Sequence, residues 1–312
     1  MMDHWEIGVV LALRDAQWKA ANPSAKIPAM NISLDGNAES KMGDAVHEIG
    51  ERFALLEIKP DQSLCKSEWT ASGGPKRAYK KLMDLAAINE VNPSDIPTRL
   101  RLSQSVRGHF FAYWGEAGED TIHFDQLFLQ PYLLTALNEV PKGCHLIKPG
   151  SCYSGRPSSA QAAALIDSFT IGLADSRRFY TLWPLSLKQV LFGVEHQPHF
   201  CLKQPSAKFV TASDLAPLGL EIDELQDYVN FLCKEKTTDG CKTDSLEEEL
   251  KMILIGDRGF IRHVTHTSKL MQVVLNYKED SLTPTVGRKP KLISMSPLKI
   301  ADLEDTPTTP AP

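Results

Sequence analysis

The sequence predicts an α/β protein in which one mixed sheet carries helices on both faces. Segments with apolar residues at helical spacing alternate with short runs rich in aliphatic and aromatic residues, in the order helix, hairpin, helix and two strands. The chain has 312 residues, of which 42% are hydrophobic and 23% are charged. This is enough for one large or two modest domains with a sizeable core.

The first two predicted elements are a helix and a hairpin. Residues 3–21 have apolar side chains at helical spacing and begin with Asp3, a favourable cap. Farther along, DAVHEI and RFALLEIK flank the dipeptide Gly50-Glu51. Two strand-like runs around a two-residue turn that begins with glycine predict a β-hairpin with a type II′ turn.

The turn sets the register of the two hairpin strands. With Gly50 and Glu51 as the loop, Asp44 lies directly opposite Glu57, and directly opposed residues project from the same face of a sheet. Lys59 shares that face because side chains alternate along a strand. The sequence therefore predicts a cluster of Asp44, Glu57 and Lys59, which a one-residue slip of register would break.

The rest of the chain is predicted to add a second, mainly helical domain. A helix with a basic first half and two further strands complete the first domain, residues 1–142. A Gly/Ser/Pro-rich joint leads into residues 143–278, where AQAAALIDSFTIGLA, SLEEELKMILIG and HTSKLMQVVLNY are interpreted as helices. Residues 279–312 are rich in Pro, Thr, Ser and charge, which predicts a disordered tail.

Asp44, followed thirteen positions later by the triplet Glu57-Ile58-Lys59, resembles the signature of the PD-(D/E)XK nuclease superfamily. The resemblance implies a restriction-endonuclease-like fold for residues 1–142. It also implies hydrolysis of phosphodiesters with Mg²⁺ or Mn²⁺ as cofactor. In this scheme Asp44 and Glu57 are metal ligands, and Lys59 is catalytic.

These residue types suit that chemistry. Two carboxylates a few ångströms apart bind a hard divalent cation through oxygen, and a lysine stabilises charge that develops on a phosphate. Many superfamily members add a glutamate from the preceding helix, for which Glu6 is the first candidate and Glu39 the second. Gln62 is a further candidate, for contact with the attacking water. The chain departs from the family pattern at Gly43, where a proline is common.

Basic residues indicate where nucleic acid would bind. The net charge is −5, so the chain has no global positive field and any phosphate contact needs a local patch. Lys76, Arg77, Lys80 and Lys81 are predicted to form such a patch on the helix after the triplet, with a solvated helix face as the alternative. The acidic balance also favours a partner subunit or a homodimer that supplies targeting.

The leading functional prediction is a DNA endonuclease of a restriction, phage-defence, repair or mobile-element system, with DNA favoured over RNA. One alternative is a non-enzymatic interaction or scaffold protein built on a nuclease-like core, because the spacing E-x-K occurs three times and does not by itself indicate a nuclease. Another is a hydrolase that uses Ser151 or Cys152 with His145. Cysteines without CxxC spacing, and apolar runs shorter than the ~20 residues of a membrane span, predict a cytoplasmic protein without a membrane partner.

Overall fold

The fold is that of a computed structural model. The residues whose structure is described are 6–20, 31–34, 39–49, 52–115, 127–149, 155–174, 179–181, 184–186, 198–202, 215–234, 249–256 and 261–282. Within them, two β-sheets and nine α-helices form a mixed α/β protein. This confirms the predicted class, a mixed sheet flanked by helices.

Eight strands form the larger sheet. From one edge to the other they are β12 (Ile261–His266), β11 (Glu249–Gly256), β1 (Asn31–Leu34), β2 (Ala45–Ile49), β3 (Arg52–Asp61), β4 (His109–Trp114), β5 (Leu127–Pro131) and β8 (Leu185–Ser186). Neighbouring strands pair antiparallel except β3 and β4, which are parallel. A parallel pair needs a long crossover connection, and the helices between β3 and β4 supply it.

Helices cover both faces of this sheet. They are α1 (Glu6–Ala20), α2 (Glu39–Met42), α3 (Ser67–Thr70), α4 (Arg77–Val91), α5 (Ile96–Gly108), α6 (Tyr132–Asn138), α7 (Ser159–Ser168), α8 (Ile222–Cys233) and α9 (Thr267–Leu282), with a 3-10 helix at Gln62–Lys66. Helices α1 and α5 both pack against β3, β4 and β5. Helix α5 belongs to a layer with α4, α6 and α8, and α1 does not. Helix α1 therefore lies on the opposite face. None of the described helices is long and apolar enough to cross a membrane.

The hairpin of β2 and β3 has the predicted register. Ile49 pairs with Arg52 and Ala45 pairs with Leu56, so the connection is two residues long. The turn type predicted for Gly50-Glu51 lies outside the described residues. Residues 53–59 of β3 are all buried, because helices cover both faces of this central strand.

The chain after residue 143 contains many strands, so the prediction of a mainly helical region is wrong. β6 (Phe169–Ala174), β7 (Phe179–Thr181), β9 (Pro198–Leu202) and β10 (Leu215–Pro217) form a second, antiparallel sheet. SLEEELKMILIG contains β11, and AQAAALIDSFTIGLA divides into α7 and β6. HTSKLMQVVLNY lies in α9 as predicted, except for its first residue, His266, which ends β12. Pairing with the edge of β1 overrides the helical propensity of the Glu-rich run.

The predicted boundary at residue 143 does not separate two sheets. β8, β11 and β12 belong to the same sheet as β1 to β5. In addition, Leu220 and Phe53 exchange backbone hydrogen bonds of 2.9 and 2.7 Å. Of the predicted tail at 279–312, α9 includes the residues up to Leu282 and the remainder lies outside the described residues.

His109, the first residue of β4, is buried in an aromatic stack. Its ring stacks on Tyr132 with the ring centroids 4.5 Å apart, and its Nδ1 atom lies 3.0 Å from the Tyr228 hydroxyl. Burial lowers the pKa of His109 from 6.5 to about 3. The ring is therefore neutral in the folded protein at neutral pH.

We expect acidification to destabilise the wild type more than a His109→Phe variant. The unfolded chain binds a proton at His109 near pH 6.5 and the folded chain only near pH 3, so the stability contributed by the neutral ring is lost as the pH falls below 6.5. Between about pH 7.5 and pH 5 the wild type should lose roughly 2 kcal/mol more unfolding free energy than the variant. Urea denaturation at the two pH values measures this, and equal losses would contradict it.

Candidate active site

Two charged side chains near the end of β3 lie inside the protein. Glu57 and Lys59 are 3% and 5% exposed, and they share one face of the strand. On the neighbouring strand β4 they pair with Phe111 and Tyr113, which are buried as well. Charges at this depth need partners, because burial of an unpaired charge is costly.

The partners come from the connection between β3 and α4. Glu68 is a buried residue of the short helix α3, and Lys76 directly precedes α4. Trp69 of α3 stacks on Tyr79 of α4 with the ring centroids 5.5 Å apart. The Lys76 N–H also donates to the Glu68 carbonyl oxygen at 2.8 Å. These contacts fold the connection so that both side chains reach β3.

Glu57, Lys59, Glu68 and Lys76 form a closed set of ion pairs, named here the double ion bridge. The Nζ atom of Lys59 lies 2.8 Å from Glu57 Oε1 and 2.9 Å from Glu68 Oε1. The Nζ atom of Lys76 lies 2.9 Å from each of the same two oxygens. Two ammonium groups thus neutralise two buried carboxylates.

Asp44 reaches the site from the position before β2. Its backbone N–H donates to the Leu56 carbonyl oxygen at 2.7 Å, and its Oδ2 accepts a hydrogen bond of 2.6 Å from the N–H of Ile58. The side chain is thereby fixed near Glu57, whose charge acts on it. Asp44, Glu57 and Lys59 therefore meet at one end of the hairpin.

Gly43 sets the path of the backbone into Asp44. Its φ of +124° lies in the region that favours glycine, and a Cβ atom there would lie 2.8 Å from the Leu56 carbonyl oxygen. The same Cβ position is 3.5 Å from Glu57 Oε2, so the Gly43 backbone forms a wall of the site. Proline fixes φ at about −65° and cannot adopt this conformation. The geometry at this position therefore favours glycine and excludes proline.

The surroundings of the site shift the pKa values of its carboxyl groups and of its lysines. Burial, and then the charge of Glu57, raise the pKa of Asp44 to about 8 and also raise the pKa of Glu68. Burial alone would lower the pKa of Lys59 and of Lys76, but the nearby glutamates outweigh it, so the pKa of Lys59 is raised and that of Lys76 rises to about 12. Both lysines stay charged, whereas the surroundings of Asp44 favour its neutral form.

Asp44 and Glu57 are the carboxylates predicted to bind a divalent cation, and hard cations prefer oxygen ligands. Burial, and then the charge of Glu57, disfavour the charged form of Asp44, which a bound cation would stabilise. In the part of the chain that the structure describes, no group of three or more His, Cys, Asp or Glu side chains is arranged to hold a metal ion. Mg²⁺ is commonly bound by one or two carboxylates together with water and substrate phosphates, so a site built on these two side chains stays a prediction.

No family model, curated protein or solved structure matches the chain. The resemblance to the PD-(D/E)XK superfamily therefore rests on Asp44, Glu57 and Lys59 and on the order of the elements around them, and it stays a prediction. The structure adds the neighbourhood of these three side chains, in which Glu68 and Lys76 complete the double ion bridge.

The structure does not bring Glu6, the first candidate for a third carboxylate, to the double ion bridge. Glu6 is exposed in the first turn of α1, which covers the face of the sheet opposite the layer that contains α4. Glu39 begins α2, and its side chain lies outside the described part of the structure. The carboxylate that the structure places there is Glu68, from a helix after the triplet rather than before it.

Gln62 lies in the 3-10 helix directly after β3. Its Nε2 donates to Gln130 Oε1 at 3.1 Å, and the Tyr113 hydroxyl donates to the same oxygen at 2.9 Å. Tyr113 is the residue of β4 that pairs with Lys59. Gln62 is thus linked to the lysine end of the site and stays a candidate for contact with water or substrate.

The four basic residues predicted to bind nucleic acid have different surroundings. Arg77 and Lys81 donate hydrogen bonds of 2.5 Å to the carbonyl oxygens of Cys233 and Phe231, at the C-terminal end of α8. Cations there satisfy open carbonyl groups and complement the helix dipole. In the structure these two residues hold α8 against α4, and their predicted contact with nucleic acid stays a prediction. Lys76 belongs to the double ion bridge, and Lys80 is exposed.

Sequence reasoning missed Glu68 and the pairing of Lys76 with the carboxylates. The segment between β3 and α4 folds into a 3-10 helix and one short helix, and such short elements leave no hydrophobic period in the sequence. A local signal was present at Asp61, whose Oδ1 caps the 3-10 helix by accepting from the Ser63 N–H at 2.7 Å. It marks the turn but does not show where Glu68 points.

The alternative nucleophiles are not placed by the structure. Ser151 and Cys152 lie outside the described residues. His145, their predicted partner, is exposed. A hydrolase that uses these residues stays a prediction without a geometric observation in its favour.

Proposed function

We propose that this protein is a metal-dependent nucleic-acid phosphodiester hydrolase, with DNA as the favoured substrate. The observation that carries the proposal is the meeting of Asp44, Glu57 and Lys59 at one end of the hairpin, where Asp44 Oδ2 accepts from the Ile58 N–H at 2.6 Å and Lys59 Nζ lies 2.8 Å from Glu57 Oε1. The order α1, β1 to β3, α4 and then β4 parallel to β3 agrees with the restriction-endonuclease-like core that the resemblance implies. This agreement supports the proposal.

Each residue has a defined task in the proposed reaction. Asp44 and Glu57 would hold Mg²⁺ or Mn²⁺, which when bound supplies a Lewis acid and an activated water. The N–H of Ile58 orients the Asp44 carboxylate, as hydrogen bonds around metal ligands commonly do. Lys59 presents a charge, fixed by two carboxylates, that stabilises the negative charge developing on the phosphate.

The substrate would approach from the side of Lys76. The Lys76 side chain is 34% exposed, whereas that of Lys59 is 6% exposed. Lys80 lies one turn farther along α4 and is also exposed. These two ammonium groups are the first that an approaching phosphate would meet, and attraction to backbone phosphates is the usual source of affinity for nucleic acid.

We further propose a cytoplasmic role in a restriction, phage-defence, repair or mobile-element system. Within the described residues, Cys65 and Cys144 are free thiols, which supports a reducing compartment. The net charge of −5 supports targeting by a partner subunit or a homodimer, because the chain alone has no positive field to draw it onto DNA.

A second candidate function is a non-enzymatic interaction or scaffold protein. The double ion bridge favours it, because Lys59 and Lys76 already neutralise Glu57 and Glu68 without a cation. In a scaffold this arrangement would be permanent and no divalent ion would bind. Metal-dependent cleavage by the purified protein would exclude this candidate.

An Asp44→Asn variant tests the proposal. Asparagine retains an oxygen that accepts from the Ile58 N–H but lacks the charge that a metal ligand needs. We expect Mg²⁺-dependent cleavage of DNA to fall roughly 100-fold or more. Thermal stability should stay the same or rise, because the change removes a half-buried carboxylate whose charge is disfavoured by desolvation and by Glu57.

The matched control is Asp167→Asn, which alters an exposed carboxylate on α7. This control should cleave at the wild-type rate. Full activity of Asp44→Asn in Mg²⁺ would contradict the assigned role of Asp44. If neither the wild type nor either variant cleaves DNA, the scaffold function is favoured.

A further inference from the structure

The two lysines of the double ion bridge contact the same two oxygens but differ in their access to solvent. The side chain of Lys59 is 6% exposed and lies on the central strand β3, whereas that of Lys76 is 34% exposed. Lys59 is therefore enclosed by the core. The Lys76 side chain, in contrast, is in contact with solvent.

The backbone of Lys76 is fixed, so only its side chain is free to leave. Its N–H donates to the Glu68 carbonyl oxygen at 2.8 Å, and its carbonyl oxygen accepts from the Lys80 N–H at 3.1 Å. Four rotatable side-chain bonds connect this anchored backbone to the ammonium group. Withdrawal of the ammonium into solvent requires rotamer changes and no rearrangement of α4.

Charge makes such a withdrawal necessary when a divalent cation binds. The Nζ atoms of Lys59 and Lys76 each lie within 2.9 Å of both Glu57 Oε1 and Glu68 Oε1, so two ammonium groups already stand at these oxygens. A divalent ion on Glu57 would stand within a few ångströms of both ammonium groups, where like charges repel strongly. One ammonium group must move away from the carboxylates, and that of Lys76 is the one whose side chain reaches solvent.

We infer that Lys76 is a built-in counter-ion that holds Glu57 and Glu68 until a divalent cation displaces it. Cation binding and the withdrawal of Lys76 are then one coupled event, and Lys76 lowers the apparent affinity of the site for metal. The displaced ammonium would point toward the solvent side, where it meets an incoming phosphate. This inference rests on the proposed function, because it requires the carboxylates to bind a metal.

The test is calorimetric titration of the full chain with Mn²⁺ after removal of metal by EDTA and dialysis. Lys76→Met removes the ammonium and keeps an unbranched side chain, and we expect it to bind Mn²⁺ about tenfold more tightly than the wild type. Lys76→Arg retains the positive charge and should stay close to the wild type. Lys142→Met, an exposed lysine outside the bridge, is the matched control and should change nothing.

A second experiment measures the rate at which the Lys76 amine is chemically modified. In metal-free protein an acylating reagent should modify Lys76 slowly, because its ammonium is held by two carboxylates. Added Mn²⁺ should accelerate modification of Lys76 relative to Lys142, as measured by mass spectrometry of peptides. This measurement uses the wild type and does not depend on the folding of a variant.

The possible outcomes separate this inference from the proposed function. Equal Mn²⁺ affinity of the wild type and Lys76→Met, or weaker binding by Lys76→Met, would overturn the counter-ion role while leaving the metal site intact. Absence of Mn²⁺ binding in every variant, each shown to be folded by its unfolding curve, would overturn the metal site and the inference with it.

Discussion

A Lys59→Ala variant is expected to lose Mg²⁺-dependent cleavage of DNA by roughly 100- to 1000-fold. Lys59 supplies a positive charge held in place by Glu57 and Glu68, and the methyl group of alanine leaves the phosphate without that charge. Single-turnover cleavage of labelled duplex DNA measures the loss.

The Lys59→Ala variant should also have a lower free energy of unfolding than the wild type, so the loss of activity must be separated from unfolding. Removal of one partner from a buried ion pair costs about 3 kcal/mol, with Lys76 left to neutralise both glutamates. Rates are therefore compared at a temperature where the unfolding curve shows the variant to be folded. Lys142→Ala should retain wild-type activity and stability. Wild-type cleavage by folded Lys59→Ala would contradict a catalytic role for Lys59.

A Gly43→Ala variant is expected to lose about 3 kcal/mol of unfolding free energy. The backbone at Gly43 has a φ of +124°, and the new Cβ would lie 2.8 Å from the Leu56 carbonyl oxygen. Either the backbone changes conformation or β2 moves away from β3, and in both cases Asp44 is displaced. Urea denaturation measures the loss, and metal-dependent cleavage should fall with it.

Gly73→Ala is the matched control for this change. Gly73 is exposed, and a Cβ atom there would meet no atom within 4 Å. We expect its stability to differ from that of the wild type by less than about 0.5 kcal/mol. A Gly43→Ala protein as stable as Gly73→Ala would show that the backbone at Gly43 adapts easily, contrary to the geometry described for the site.

The hairpin could be predicted because its determinants are local. A two-residue connection fixes the register of β2 and β3, and that register brings Asp44 to Glu57 and Lys59. The pairing of β11 with β1 could not be predicted in this way. It joins segments more than 200 residues apart, such as Ile32 and Gly256, and a local pattern does not reveal which sheet edge is open to a distant segment.

The site shows the same division between local and distant contacts. The basic first half of α4 suggested a phosphate-binding patch, but Arg77 and Lys81 contact the end of α8, about 150 residues away in sequence. Glu68 reaches the site through a connection without regular periodicity. A segment with four cations at the start of a helix looks the same in sequence whether those cations face solvent, a carboxylate or the end of another helix.

The metal-dependent nuclease proposed here is tested first by cleavage with the unmodified full chain. Supercoiled plasmid and single-stranded DNA are incubated with purified protein in Mg²⁺, in Mn²⁺ and in EDTA. We expect cutting of DNA in at least one of the two metals and none in EDTA. Cutting that persists in EDTA, or a folded protein that cuts neither DNA in either metal, would contradict a metal-dependent nuclease built on Asp44, Glu57 and Lys59.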